Sequence, residues 1–418
     1  MKESIQKKVL ILALFAGEIM MKSGAEIYRV EDTIARICKA CKIDYVECFA
    51  TTTGIFLSID RGDEEDDTHT FIKRIKGAEI NLERISSVNN FSRDFASTDL
   101  SIEAGFERLK EINADPGYNL PLRLIGALLV GMFFCPIYGG SMGDMFIAGG
   151  VSCVSYLLSA FIGRLKFPDF IRIFISCMGA AGMVLAAAAM GASDSISPVI
   201  VAATTIFLPG VAITNAARDF LSGDMLSGTA RLVEACIAAV AIAGGVGIGI
   251  QIWMLGGGTV AHDRIVTFDT PWFLLFGFFS TLGFGLIFNA PKKLLVLIGL
   301  IGAVGMYILF FMTNEYNLIS ASFFGSCAIA ILAEIASRAG KDATTLFIIP
   351  GIIPFVPGAP LYETMSKMLE SNYSEAVSNG TQAFIIAGSI AAALVFIATF
   401  SRLIFAIITR LRRHGAGR

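Results

Sequence analysis

Beyond about residue 120 the chain consists of apolar runs close to 20 residues long, separated by short polar loops. A helix of about 20 apolar residues crosses the hydrocarbon core of a bilayer. Backbone polar groups cannot remain unpaired in lipid, so such runs predict transmembrane helices. We count about ten runs, at 121–138, 144–162, 170–190, 198–219, 231–254, 271–289, 293–312, 317–336, 344–362 and 383–407.

The first 119 residues have a different composition, because they are rich in Lys, Arg, Asp and Glu. Only 16% of the whole chain is charged, against about 25% in soluble domains. The shift at Pro121 therefore predicts a domain boundary, with an α+β domain before it. Ser23 and Glu26 have the spacing of a helix capping box, and the acidic run 61–67 predicts a solvated loop. The predicted helices are 6–22, 24–41, 80–91 and 98–112, and the predicted strands are 45–52, 54–60 and 68–76.

Basic residues in alternate loops predict the orientation of the spans, since cytoplasmic loops carry an excess of Lys and Arg. With the N-terminal domain inside, the outside loops contain only Arg264 and Lys367. The cytoplasmic loops and tail contain Arg164, Lys166, Arg172, Arg218, Arg231, Lys292, Lys293, Arg338, Lys341, Arg410, Arg412, Arg413 and Arg418. A cleaved signal peptide over residues 9–16 would invert this pattern. We therefore interpret that run as a core or amphipathic helix, and we place both the domain and the C-terminus in the cytoplasm.

Two short segments resemble each other, Ile206–Ala212 and Phe347–Ile353. Each contains a Pro-Gly pair and lies in the fourth span of a five-span set. Because five is odd, the second set crosses the membrane in the opposite sense, which is the inverted repeat of many secondary transporters. The predicted fold is a polytopic α-helical membrane protein of about ten spans in two inverted five-helix repeats, at 120–256 and 270–410, behind a cytoplasmic α+β domain at 1–119.

Proline and glycine inside a span break the helix and free backbone groups that need protein, water or a ligand as partner. A pair of broken spans at matching places in two halves is a sequence pointer to a substrate site. An open alternative is that the breaks only shape helix packing. The predicted substrate-binding or gating residues at the breaks are Pro209, Gly210, Pro350, Gly351, Pro354, Pro357 and Gly358.

Polar residues follow the first break, and polar groups at membrane depth usually face a cavity or a partner. Thr214, Asn215 and Asp219 are predicted to bind substrate, and Asn215 and Asp219 share a helix face at i,i+4. The possible coupling or gating residues are Arg218, Asp224, Glu234, Glu334 and Tyr362. Structural alternatives remain open: Glu234 with Arg231 and Glu334 with Arg338 have ion-pair spacing, and Tyr362 has the position of an interface anchor.

In the N-terminal domain a polar cluster near the first helix junction is predicted to face the pore. Its members are Glu18, Ser23, Glu26, Arg29 and Glu31. Cys38, Cys41 and Cys48 form an incomplete zinc pattern, which we interpret as helix packing. We predict no metal, no cofactor and no catalytic residue. The net charge of -2 gives no basic surface for nucleic acid, and the absence of a phosphate-binding loop pattern argues against direct ATP drive.

Three motifs resemble the threonine/serine exporter family. The first is Ala16–Glu31; the second is Pro209-Gly210 followed by Thr214-Asn215-Ala216-x-Arg218-Asp219, Ser222-Gly223-Asp224 and Ser227-Gly228; the third is Pro350-Gly351-x-x-Pro354-x-Val356-Pro357-Gly358. Together they extend over nearly the whole chain, as a fused form of two membrane halves. The resemblance implies export of threonine, serine or a related small metabolite, driven by the proton-motive force, across the bacterial inner membrane. The partners that the resemblance implies are the substrate, the lipid bilayer and further copies of the chain in a homo-oligomer.

Two alternatives remain open at this point. An exporter of small carboxylates would use the same machinery with another substrate. A membrane-anchored sensor or scaffold would have no flux at all, although an anchor has no use for two costly backbone breaks.

Overall fold

The N-terminal part of the chain is built around its first helix. The structure is a computed structural model, and it describes residues 2–43, 46–59, 69–77, 79–259, 264–369 and 372–415. The predicted acidic loop 61–67 lies outside these residues. The helices before residue 120 are α1 (Lys2–Lys22), α2 (Ile27–Ala40), α3 (Leu82–Ser97) and α4 (Ile102–Ala114). Helix α1 contacts the other three, and Leu12, Ala13 and Ala16 on it are fully buried, so the first apolar run is a core helix.

Three strands form an antiparallel meander beside these helices, in the order β1 (Val46–Thr51), β2 (Gly54–Ile59) and β3 (His69–Arg74). Successive strand residues face opposite sides of a sheet. Ala50, Ile55 and Leu57 accordingly face the helices and are buried. On the other face Phe56 pairs with both Phe49 and Ile72, and all three are exposed.

The predicted capping box at the start of α2 is wrong. Helix α2 begins after Glu26, which is its N-cap residue, and no side chain caps the helix there. The Ser23 hydroxyl instead donates to the Ile19 carbonyl oxygen of α1, at 2.7 Å. The Glu26 carboxylate instead pairs with Arg29 and Arg218. Because these charge-assisted bonds hold the carboxylate, it does not cap its own helix.

Every predicted span coincides with a helix or a pair of helices. The helices of this region are α5 (Leu120–Phe134), α6 (Met142–Arg164), α7 (Asp169–Ala189), α8 (Ser197–Thr204), α9 (Gly210–Ser222), α10 (Met225–Leu255), α11 (Trp272–Ile287), α12 (Leu295–Glu315), α13 (Leu318–Gly340), α14 (Thr345–Ile352), α15 (Gly358–Leu369) and α16 (Tyr373–Gly415). Among the described residues, 7 helices are long and apolar enough to cross a membrane, or 8 if α8 and α9 count as one bent span. Helix α11 and the segment Thr345–Phe355 are apolar but shorter.

The two groups of membrane helices pack in the same pairwise pattern. Contacts α5–α6, α6–α7, α7–α10 and α9–α10 recur as α11–α12, α12–α13, α13–α16 and α15–α16. Helix α8 contacts α5, α6 and α7, and α14 likewise contacts α11, α12 and α13. Between the groups, α9 contacts α16 while α10 contacts α15. Each group is therefore one copy of a common arrangement; that the copies cross the bilayer in opposite senses stays a prediction.

Helices α5 and α11 join the two groups by a close backbone contact. A Cβ added at Gly126 would lie 2.8 Å from the Gly283 carbonyl oxygen, and one added at Gly283 would lie 2.8 Å from the Gly126 carbonyl oxygen. Real Cβ atoms do not approach backbone so closely, so only glycine allows this helix pair to meet.

The predicted register of the two breaks needs correction. Pro350 and Gly351 lie inside α14, and the second break falls at Val356-Pro357. Leu208 (φ −59°, ψ 132°) and Val356 (φ −58°, ψ 131°) have the same extended backbone. Each is followed by proline, which disfavours a helical conformation in the residue before it. Pro209-Gly210 therefore corresponds to Pro357-Gly358, and Pro350 costs its helix one hydrogen bond without ending it.

The equivalence extends along both broken spans. In each, a helix is followed by a three-residue 3-10 helix, at Thr205–Phe207 and Ile353–Phe355. The Gly210 and Gly358 amides then donate to the carbonyl oxygens of Leu208 and Val356, at 2.8 and 2.6 Å. Ser197, Gly210 and Met225 begin α8, α9 and α10, and their counterparts in α14, α15 and α16 follow at equal intervals.

Candidate functional site

The two breaks touch each other between the halves. A Cβ added at Gly210 would lie 3.0 Å from Val356 Cγ2, and one added at Gly358 would lie 2.6 Å from Leu208 Cδ1. Tyr138, at the end of the first span, is close as well, because its Oη would be 3.1 Å from the same Gly358 Cβ. Helices α8 and α9 are bent by 63° at their break. The structure thus brings together four of the predicted residues, Pro209, Gly210, Pro357 and Gly358. Pro350 and Gly351 lie instead in α14, the helix before the second break.

Helix α9 presents three buried polar side chains below its break. The Thr214 hydroxyl donates to the Gly210 carbonyl oxygen at 2.7 Å, so its own helix satisfies it. Asn215 is 1% exposed, and among the described residues its Nδ2 has no hydrogen-bond partner. A buried amide without a partner is costly, and it is the kind of group that a bound molecule would satisfy. Asp219, one turn further, is 2% exposed.

A second polar centre lies at the far end of α9, where the N-terminal part meets both halves. The Glu26 carboxylate is fully buried there. It accepts a hydrogen bond from Arg218 of α9, forms an ion pair with Arg29 at 2.8 Å, and accepts from Thr345 Oγ1 at 3.1 Å. Burial alone would raise the pKa of Glu26, but the charges of Arg29 and Arg218 hold that pKa below its usual range. The carboxylate is therefore ionised at neutral pH.

Arg231 of α10 completes this centre. Its Nε lies 3.2 Å from the Asp219 carboxylate, and its Nη2 donates to the Ala25 carbonyl oxygen at 3.0 Å. The alternative that Arg231 pairs with Glu234 is wrong, because Glu234 is exposed and the guanidinium lies beside the buried Asp219 carboxylate. A buried charge without a partner is far more costly than a solvated one, so Arg231 pairs with the buried Asp219 rather than with the exposed Glu234.

The other residues of the predicted N-terminal cluster have roles inside that part of the chain. Glu18 forms ion pairs with Lys22 and Lys73, both at 2.8 Å. Burial would raise the pKa of Glu18, but those two lysines hold it below its usual value. Glu31 accepts from the Ala50 amide at 2.9 Å, which ties α2 to β1; burial and the nearby Asp224 raise its pKa. Among the described residues the predicted cluster thus divides: Glu26 binds Arg218 of α9 and Thr345 of α14, Arg29 lies beside it, and Glu31 lies near Asp224 at the start of α10.

The remaining predicted residues lie at the periphery of these centres. Glu334 pairs with Arg338 at 3.0 Å and accepts from Ser401 at 2.9 Å. Asp224 is the residue before α10, and its amide donates to the Asp219 carbonyl oxygen at 2.9 Å. Pro354 lies in the second 3-10 helix. The side chain of Tyr362 lies outside the described residues.

A cavity of about 520 Å³ opens beside Glu26. Arg29 and Arg218 line it, together with Tyr28, Glu334 and Arg338. Its other wall is mainly apolar and includes Ile348, with Leu394, Val395, Ile397 and Ala398 of α16. This size is within the range of small-molecule sites, and the mixture of apolar walls with a few charged groups is typical of them.

Sequence reasoning missed three residues: Tyr138 beside the contact of the two breaks, Arg231 as the partner of Asp219, and Thr345 as a partner of Glu26. Arg231 and Thr345 lie at the ends of spans, where polar residues are ordinary, so the sequence carries no signal that separates them from anchors. The buried Glu26 had a signal in the family motif Ala16–Glu31, but its partners are far away along the chain and could not be read from spacing.

The part of the chain that the structure describes is mostly helical and has seven or eight apolar helices of membrane-spanning length, which makes this a polytopic membrane protein. Two family models extend over nearly all of it. Residues 11–253 match the model described as "Putative threonine/serine exporter", and residues 274–400 match "Threonine/Serine exporter, ThrE". The chain belongs to the threonine/serine exporter family, a family of transporters.

Relatives support this at low identity. The chain is 21% identical over 401 residues to the "Threonine/serine exporter" of Corynebacterium glutamicum, covering 93% of this chain and 81% of the relative. It is 22% identical to the "Probable threonine/serine exporter" of Mycobacterium tuberculosis, covering 86% and 70%. A shorter relative, the "Probable succinate transporter subunit YjjP" of Escherichia coli, is 23% identical over 266 residues, which are 62% of this chain and 99% of the relative. No solved structure matches the chain.

Proposed function

We propose that this chain is a secondary active exporter of threonine and serine, and that the substrate binds where the two broken spans meet. The observation that carries this proposal is the contact between the Pro209-Gly210 and Pro357-Gly358 breaks, with the unpartnered amide of Asn215 on the same helix. Broken helices at membrane depth are tolerated where they border a binding site. The names of two full-length relatives support the substrate class.

Alternating access follows from the same proposal. Residues 120–256 and 270–410 act as two inverted five-helix halves, and rocking of one against the other exposes the site to each side in turn. Their recurring contact pattern supports this arrangement. Residues 1–119 and the C-terminus face the cytoplasm, and the membrane is the bacterial inner membrane. The energy source is the proton-motive force.

Counterflow in proteoliposomes tests the proposal. Vesicles loaded with unlabelled threonine are expected to accumulate labelled threonine or serine, and an imposed pH gradient should change the extent. Saturation of the exchange separates a carrier from a passive channel. No uptake of threonine, serine or a related acid under either condition contradicts the proposal and leaves the sensor or scaffold interpretation.

Asn215→Ala is expected to lower counterflow about tenfold at unchanged abundance in the membrane, the effect of losing one substrate hydrogen bond of about 1.4 kcal/mol. The exposed Asn90 provides the control, and Asn90→Ala should leave the rate unchanged. A fall in the abundance of Asn215→Ala, with a normal rate per molecule, would show that the amide serves the fold alone.

A second candidate substrate is a small carboxylate without an amino group. Arg29 and Arg218 line the cavity beside Glu26, and paired guanidinium groups bind carboxylates well. Competition of labelled threonine by serine, succinate and other small acids separates the two substrates. A carboxylate exporter would show inhibition by succinate at lower concentrations than by serine.

A further inference from the structure

The buried Glu26 carboxylate joins three parts of the molecule at one point. Its own residue belongs to the corner between α1 and α2, Arg218 belongs to the first group of membrane helices, and Thr345 belongs to the second. Arg29 adds a second guanidinium at 2.8 Å. Few carboxylates in a protein are fully buried unless they are paired in this way.

The groups around Glu26 are those that proteins use to bind a free carboxylate. Arginine binds carboxylates through charge-assisted hydrogen bonds, and two arginines here flank one carboxylate. Thr345 is the first residue of α14, so the carboxylate also lies at the end of a helix that favours negative charge. None of these features requires that the bound carboxylate belong to the protein chain.

A small molecule has direct access to the same groups. Arg29 and Arg218 line the cavity of about 520 Å³ as well as holding Glu26. Their side chains are 20% and 13% exposed, whereas that of Glu26 is fully buried. A ligand in the cavity would therefore meet two guanidinium groups that are already arranged for a carboxylate.

We propose that Arg29, Arg218 and Thr345 form a carboxylate-binding site for the exported molecule, and that Glu26 occupies this site as an internal carboxylate in the present conformation. The inference rests on the proposed export function and adds a binding site distinct from the contact of the two breaks. The α-carboxylate of threonine or serine takes the place of the Glu26 carboxylate when the α1–α2 corner withdraws.

Glu26 then competes with the substrate. A tethered group is present at a high effective concentration, so it raises the substrate concentration needed to fill the site. While Glu26 is bound, it also joins the N-terminal part to both groups of helices. Substrate entry therefore breaks the links from Glu26 to Arg218 and Thr345 in the same step.

Glu26→Gln tests the competition in proteoliposomes, with substrate supplied on the side of the N-terminal part. The amide can still accept from Thr345 but loses the charge that attracts the arginines. The apparent KM for threonine is expected to fall at least about threefold, and Glu26→Asp should give a smaller fall. Asp32→Asn is the matched control, because Asp32 lies on the same helix and its exposed carboxylate pairs with Arg36 of that helix; its KM should equal that of the unchanged protein.

Threoninol, which lacks the carboxylate, provides a second measurement that does not depend on the folding of the Glu26 variants. In the unchanged protein it should compete with labelled threonine at least about tenfold less well than serine does. Arg218→Gln should reduce that preference. Equal competition by threoninol and serine, or an unchanged KM in both Glu26 variants, overturns the inference while counterflow by the unchanged protein still supports export. Absence of counterflow in the unchanged protein is instead a failure of the export proposal.

Discussion

At the scale of single residues, the buried charges determine most of what can be tested. Glu26 and Asp219 are both buried and both paired with arginine. Removing one partner of such a pair is far more damaging than removing both, because it leaves an uncompensated charge without water. Each arginine here should therefore be more sensitive to substitution than the many exposed basic residues.

Arg231→Met is expected to destabilise the protein by about 3–5 kcal/mol, because it leaves the Asp219 carboxylate buried without its partner. The measurement is the temperature at which detergent-solubilised protein loses its monodisperse peak. The control is Arg264→Met, since the Arg264 side chain is 76% exposed and lies 3.7 Å from its acidic neighbour. Adding Asp219→Asn to Arg231→Met should restore part of the loss. Equal midpoints for the two single variants would contradict the buried pairing.

Sequence reasoning at this scale selected several of the residues but not most of their partners. It selected Glu26 and Arg29 as part of a polar cluster at the first helix junction, and Arg218 and Asp219 because polar groups at membrane depth usually face a cavity or a partner. Their pairing depends on contacts between residues hundreds of positions apart, such as Glu26 with Thr345. Local spacing offered Arg231 a partner in Glu234, and burial of Asp219 overrode it.

At the scale of helices, the two X-Pro breaks have one physical cause. Proline restricts the residue before it to extended backbone, so Leu208 and Val356 end their helices in the same way. Pro350 is different, because the helix around it continues for two further residues. The sequence similarity therefore matched Pro350 to Pro209, whereas the backbone conformation shows that Pro357 is the equivalent of Pro209.

Pro357→Ala is expected to lower counterflow more strongly than Pro350→Ala. Without its following proline, Val356 can adopt helical backbone, and the contact between the two breaks loses its shape. Pro350→Ala restores a hydrogen-bond donor inside α14 and should leave the rate near that of the unchanged protein, with equal or higher thermal stability. Rates are compared at equal abundance. The opposite order of effects would return support to Pro350-Gly351 as the functional break.

The helices and strands themselves were largely predictable. Apolar length located the spans, and the three strands lie within their predicted ranges. Several helix ends differ by six residues or more: α3 ends at Ser97 rather than at 91, and α16 begins at Tyr373 rather than at 383. The short lengths of α11 and of Thr345–Phe355 could not be predicted from the sequence, because hydropathy does not show where a helix ends within an apolar stretch.

At the scale of the whole molecule, the N-terminal part is attached to both groups of membrane helices. Arg218 and Arg231 of the first group bind the Glu26 carboxylate and the Ala25 carbonyl oxygen, and the following contacts reach the second group. The Leu82 and Glu83 amides at the start of α3 donate to the Phe288 and Asn289 carbonyl oxygens, both at 2.9 Å. Arg93 donates to the Lys341 carbonyl oxygen at 3.1 Å. These loops are among those that the basic residues predict to share a side with the N-terminal part.

Cysteine labelling tests the predicted orientation. In a background free of the 8 native cysteines, Ala192→Cys and Phe167→Cys place thiols in two exposed loops. A membrane-impermeant maleimide added to intact cells should label Ala192→Cys, and should label Phe167→Cys only after permeabilisation, because the second loop is flanked by basic residues. Labelling in the reverse pattern would place the N-terminal part outside.

The overall arrangement was only partly accessible from the sequence. The two five-span sets remain a prediction, and one short motif suggested that they resemble each other. The common packing of the two groups required the structure, since it is carried by helix neighbours rather than by residue identity. The contacts of the N-terminal part with both groups of helices leave no periodic pattern in the sequence.

The Gly126–Gly283 contact has a mechanical consequence. Backbone meets backbone there, the side chains of Val130 and Leu286 pack around the two glycines, and Phe133 of α5 stacks on Phe279 of α11. Neither helix can slide past the other without a clash at this contact, so we expect α5 and α11 to stay together when one half moves against the other. The proposed rocking of the halves would then have to open and close the contacts α9–α16 and α10–α15 instead.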